Sequence, residues 1–185
     1  MSQITVYYEA TPNPQTMKFY TTSSIASDSV NFTTAAEAVS RSPLATKIFG
    51  FPWAAGVFIG PTFVTVTKQE WVDWDVLAEP LSGLIQEHLQ SRQPVLLEGV
   101  VAESDDNEND SPIIKQIKKI LREEIRPAVA MDGGDITFGK FEEGRVYLHM
   151  QGSCSGCPSS ALTLKEGIET RLKEAIPEVQ EVVAM

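Results

Sequence analysis

The chain is predicted to be α+β: two small α+β domains joined by an acidic linker. Three observations lead there. Its 185 residues exceed one small domain and suit two of modest size. Strand-like and helix-like stretches alternate irregularly and include hairpins, which favours α+β over a parallel sheet. Between them lies Glu103–Asp110, ESDDNEND, with five acidic residues and no apolar one. Such a segment has nothing to bury and reads as a solvated linker. The boundaries follow as residues 1–102, a linker at 103–110, and residues 111–185.

In the first half, Ile4–Glu9 alternates Ile4/Val6/Tyr8 against Thr5/Tyr7/Glu9, a strand pattern. Thr11-Pro12-Asn13-Pro14 is a turn, because two prolines fix φ and remove amide donors. Thr16–Thr21 returns as a second strand. Thr34 with Glu37 forms a capping box for a short helix. Ser42-Pro43 supplies an N-cap and first-turn proline for another. Two strands flank the turn Gly60-Pro61-Thr62, the second being Phe63–Thr67. Leu77, Leu81, Leu84, Ile85, His88 and Leu89 recur at helical spacing, with Pro80 expected in the first turn or before it. Pro94–Glu98 is expected to close this half as a strand.

The second half opens on Ser111-Pro112, again N-cap and first-turn proline. Ile113, Ile114, Ile117, Ile120, Leu121 and Ile125 line one helical face. Pro127 is expected to end or kink that helix near Ile125. After the turn Asp132–Asp135 come strands at Ile136–Phe141 and Val146–Met150, joined through Glu142-Glu143-Gly144. A cysteine loop follows, then a helix carrying Leu164, Ile168, Leu172, Ala175 and Ile176. Val179–Ala184 is expected to be a last strand.

Composition excludes several classes of function. Apolar residues are 42% and charged residues 22%, too ordered a mixture for a disordered chain. Two cysteines cannot build a disulfide framework. The net charge of −10 is wrong for wrapping nucleic acid or lying on an anionic membrane. Half of that charge sits in the linker. The uncharged stretch Ile48–Thr67 is broken by Gly50, Pro52, Gly56, Gly60 and Pro61, and reads as folded strands instead of a membrane span. The N-terminus lacks a basic cluster ahead of an apolar run, and the first arginine is Arg41. A cytoplasmic protein with reduced thiols is therefore expected.

The chemistry concentrates at Gly152-Ser153-Cys154-Ser155-Gly156-Cys157-Pro158. Cys154 and Cys157, the only cysteines, stand as C-x-x-C, so both sulfurs can face one point. Pro158 suits the first position of the following helix. That puts Cys157 at a helix N-terminus, where amides and the helix dipole favour a thiolate. The loop leaves a strand end, so both sulfurs are expected at the surface. Four readings compete: buried structural cysteines, a thiol–disulfide redox pair, zinc, and an iron–sulfur cluster. The glycines, serines and proline argue against a core position. A redox pair lacks the βαβ surroundings and the preceding aromatic residue. Zinc or a cluster wants four ligands, and one chain offers two sulfurs. His88 lies on a distant helix, and His149 alternates onto a strand's solvent face. Either metal reading therefore requires a two-fold dimer that supplies each cysteine twice. Spacing alone leaves zinc and iron–sulfur open.

The residues then resemble a known family. Arg126-Pro127, Met131-Asp132-Gly133-Gly134-Asp135, the cysteine loop through Ser159, and Thr163-Leu164 look like the C-terminal domain of NifU. This resemblance covers residues 111–185. Thr11-Pro12-Asn13-Pro14, Met17-Lys18-Phe19, Gly56-Val57-Phe58 and Phe63–Lys68 resemble the N-terminal domain of Nfu-type scaffold proteins. The resemblance implies a carrier that binds a [4Fe–4S] cluster through Cys154 and Cys157. Two thiolates would come from each protomer of a homodimer, and the cluster would pass to recipient apo iron–sulfur proteins. It implies a scaffold without substrate turnover, whose partners include neither nucleic acid nor membrane. A thiol–disulfide protein and a zinc-stabilised interaction module remain the alternatives.

Overall fold

The computed structural model describes residues 4–100, 106–156 and 158–185, with the backbone alone at 158–160. The chain divides into two compact units, Met1–Ala102 and Glu103–Met185. Both mix helices with largely antiparallel sheet, so the class is α+β.

The first unit holds strands β1 (Val6–Ala10), β2 (Thr16–Thr21), β3 (Val30–Phe32), β4 (Ala54–Ile59) and β5 (Phe63–Lys68). They form one antiparallel sheet in the order β1-β2-β5-β4-β3. Helices α1 (Ala35–Val39), α2 (Pro43–Phe49) and α3 (Trp74–Gln90) pack on it. Phe19, Phe32, Leu44, Ile48, Ile59 and Ile85 fill the core. Thr34 and Ser42 cap α1 and α2 as their sequence signals imply.

Two expectations need correction. Pro80 lies inside α3, not in its first turn. The buried face of Ala78, Leu81, Ile85, His88 and Leu89 holds the helix through the lost hydrogen bond. Pro94–Glu98 is not a strand. Its backbone bonds to helical residues and the loop before α2: the Ser42 hydroxyl donates to Val95 O at 2.6 Å, and Leu97 N to Arg41 O at 2.9 Å. An apolar run satisfied in that way needs no sheet edge. The short strand β3 carried no readable period in the sequence.

His88 is 1% exposed, and its Nε2 donates to Pro94 O at 3.1 Å while buried Nδ1 has no hydrogen-bond partner among the described residues. Burial holds its pKa below the usual value, the Pro94 carbonyl opposes that shift, and Lys47 adds to it. The folded unit thus prefers neutral imidazole. Its stability contribution is complete above the unfolded pKa of about 6.5 and is lost as pH falls through the lower folded value. The denaturation midpoint should therefore drop between pH 7.5 and pH 5. All three tryptophans lie in this unit, so their fluorescence reports it. His88→Gln should flatten the dependence, and an unchanged slope in that variant would refute the assignment.

The second unit contains α4 (Pro112–Ile120), a π-helical turn at Leu121–Ile125, α5 (Arg126–Met131), β6 (Gly134–Glu142), β7 (Arg145–Gly152), α6 (Pro158–Ala175) and β8 (Glu181–Ala184). Pro127 neither ends nor sharply breaks the helix. The preceding turn widens, with Arg126 N bonding to Leu121 O, and the helix continues into α5. β6 and β7 form an antiparallel hairpin whose two-residue turn, Glu143 and Gly144, has φ of 49° and 78°. Positive φ at both positions suits the tight turn that matches strand twist. β8 joins β7 in parallel after α6. Ile117, Leu121, Ile136, Leu148, Ile168 and Leu172 form the core.

The described end of the acidic run is not simply solvated. Asp110 pairs with Lys118, and both side chains are largely buried, at 13% and 9% exposure. Asp106 pairs with Arg122 at 2.6 Å. These carboxylates find cations on the adjoining helix, so residues 106–110 dress the second unit.

Candidate functional site

Hairpin register places the site. Gly134, the first residue of β6, faces Gly152, the last of β7. The cysteine loop leaves at that open end, beside the turn from α5 into β6. Two hydrogen bonds tie loop to turn: Ser153 N donates to Gly133 O at 3.2 Å, and Ser153 Oγ to Asp132 O at 2.5 Å. Gly133, with φ of 80°, makes the turn possible. Gly152 and Gly156 also have positive φ, 63° and 80°.

Cys154 departs from expectation. It is 6% exposed and belongs to the core of the second unit. Its thiol lies against Gly134. A Cβ added there would overlap Sγ and lie 3.1 Å from both Cys154 N and Gln151 O. The loop's composition suggested a surface sulfur; two bonds through Ser153 and a missing side chain at Gly134 allow it inside. Burial pushes the Cys154 pKa up to about 11; a Ser153 hydrogen bond offsets part of that, and the Asp132 and Asp135 carboxylates add to it. Cys157, the second expected ligand, lies outside the described residues.

Asp135 is buried beneath the turn. Arg126 grips it in a fork, Nε to Oδ1 and Nη2 to Oδ2, each at 2.8 Å. Ile136 N donates to Oδ1 at 2.8 Å. This pair braces the strand that carries Gly134 against the helix after the π turn. Neither pairing nor thiol seat was read from spacing, although Arg126-Pro127 and the Asp-Gly-Gly-Asp run marked the place.

His88 belongs to the first unit, and His149 is exposed on β7. Among the described residues, no three His, Cys, Asp or Glu side chains gather as metal ligands. No helix among them is long and apolar enough to cross a membrane. Met131, just before Asp132, is 74% exposed and sets apolar surface beside the loop.

Residues 117–183 match the NifU-like domain, and residues 6–92 match the N-terminal domain of the scaffold protein Nfu/NifU. The Homo sapiens "NFU1 iron-sulfur cluster scaffold homolog, mitochondrial" is 40% identical over 93% of this chain and 68% of its own length. The Arabidopsis thaliana "NifU-like protein 4, mitochondrial" is 41% identical over 94% of this chain and 63% of its own. "NifU-like protein 5, mitochondrial" of the same plant is 41% identical, over 94% and 65%. The chain thus spans about two thirds of these relatives. These relatives are named mitochondrial, which overturns the cytoplasmic expectation. That expectation rested on leader cues and reduced thiols, and neither specifies the compartment in which a folded domain works.

Proposed function

Because this chain belongs to the Nfu-type iron–sulfur scaffold family, we propose that it holds a [4Fe–4S] cluster on Cys154 and Cys157 and passes it to apo iron–sulfur proteins. The observation that carries this reading is the chain's only C-x-x-C, whose described cysteine, Cys154, lies in the loop that leaves β7 between Gly152 and Gly156. Two thiolates per chain make a shared cluster between two copies the natural way to reach four ligands. Such a cluster sits at an interface, where thiolates of a recipient can replace those of the carrier one at a time. The function is carriage, with no substrate turned over. Residues 111–185 bear the cluster, 103–110 connect, and 1–102 support recipient or dimer contacts.

Anaerobic reconstitution with iron and sulfide tests the stoichiometry. Native mass measurement should give one [4Fe–4S] per two chains. A cluster on a single chain would defeat the ligand assignment. Tight zinc with no iron uptake would favour the zinc module, and a colourless monomer with a reversible disulfide would favour the redox protein.

A further inference from the structure

We propose that Gly134 is a positioning residue for Cys154: the space left by its missing side chain seats the free thiol, and the thiol must leave that seat to take up its cargo. The proposal rests on the cluster reading above, and its basis is steric. A thiolate shared with a second chain must project from the surface, whereas Cys154 is 6% exposed and belongs to the core. Any side chain at Gly134 would occupy the sulfur's place. Ser153 fastens the seat through Gly133 O and Asp132 O. The positive φ of Gly152 and Gly156 puts a conformationally permissive residue on each side of Cys154. Among the described residues, a Cβ on Gly156 would meet no atom within 4 Å, so that side of the loop is open to them. The fold therefore keeps one ligand packed away until the loop turns outward. Substrate iron and sulfide then meet a sulfur that was shielded from oxidants and stray metal.

The test uses the full apo chain carrying Cys157→Ser, so that Cys154 is the sole thiol. Its alkylation by iodoacetamide is followed by mass spectrometry at pH 8, in native buffer and in denaturant. Native labelling should be at least tenfold slower than unfolded labelling. Adding Gly134→Ala should raise the native rate at least tenfold, while β6–β7 hydrogen exchange shows the strands still formed. Ser153→Ala, which removes the hydroxyl fastening without adding bulk, should raise it several-fold. It decides the matter if Gly134→Ala does not fold. Native labelling as fast as unfolded labelling overturns the proposal, as does a slow rate that folded Gly134→Ala and Ser153→Ala both leave unchanged. No arm depends on the cluster. If the cluster reading fails by absorbance, the labelling still judges the seat; if the seat fails, the ligand assignment stands.

Discussion

Replacing Cys154 or Cys157 by serine should abolish the visible absorbance and bound iron and sulfide of the reconstituted protein. One substitution removes one ligand from each chain, hence two of the four thiolates of a shared cluster. The loss should be essentially complete, since two thiolates cannot retain a [4Fe–4S] core. The two positions should differ in what they do to the apo protein. Cys154 belongs to the core with Ile117, Ile136 and Leu148, so Cys154→Ser puts a hydroxyl in an apolar seat. A cost of about 1–2 kcal/mol is expected, several degrees in the melting of a unit this size. Cys154→Ala avoids the hydroxyl and leaves a small void, so it should fold with a milder loss and still bind no cluster. Retention of the cluster by either serine variant would place the ligands elsewhere. Collapse of Cys154→Ala would make the cysteine's role structural.

Patterns set by neighbours in sequence were the readable ones. The strands β1, β2, β4 and β5 of the first unit, the caps at Thr34, Ser42 and Ser111, and the isoleucine face of α4 rest on short-range period and capping chemistry. Partners that come from far along the chain leave no such local mark. The local cost of Pro80 argues for a helix start or break, while the buried face of α3 packed into the first unit's core holds the helix through it. Pro94–Glu98 looked like a strand because it is apolar, yet its bonds go to helices and the loop before α2. The cysteine loop shows both sides. Its glycines and serines announced chemistry, but the burial of Cys154 depends on Gly134, twenty residues earlier, which only the β6–β7 register brings beneath it.

The Arg126–Asp135 pair braces the same turn from α5 into β6. Asp135 is 5% exposed, and its two oxygens receive both arms of the guanidinium and the Ile136 amide. Arg126→Met removes the counter-charge and leaves a carboxylate held in a nearly dry site. Stripping one partner from a buried pair costs about 3–5 kcal/mol. Because the arginine side chain is itself 30% exposed, about 2–3 kcal/mol is the reasonable expectation. That corresponds to roughly 30- to 150-fold faster hydrogen exchange in the β6–β7 peptides, measured by mass spectrometry. The first unit's exchange should not change, since the lost contacts lie within the second. Arg126→Lys keeps the charge but loses the fork, and should fall between. Adding Asp135→Asn to Arg126→Met removes the stranded charge, so part of the protection should return. A double variant no better than Arg126→Met would mean that the arginine acts through packing alone. Partial recovery would identify the stranded carboxylate as the source of the loss.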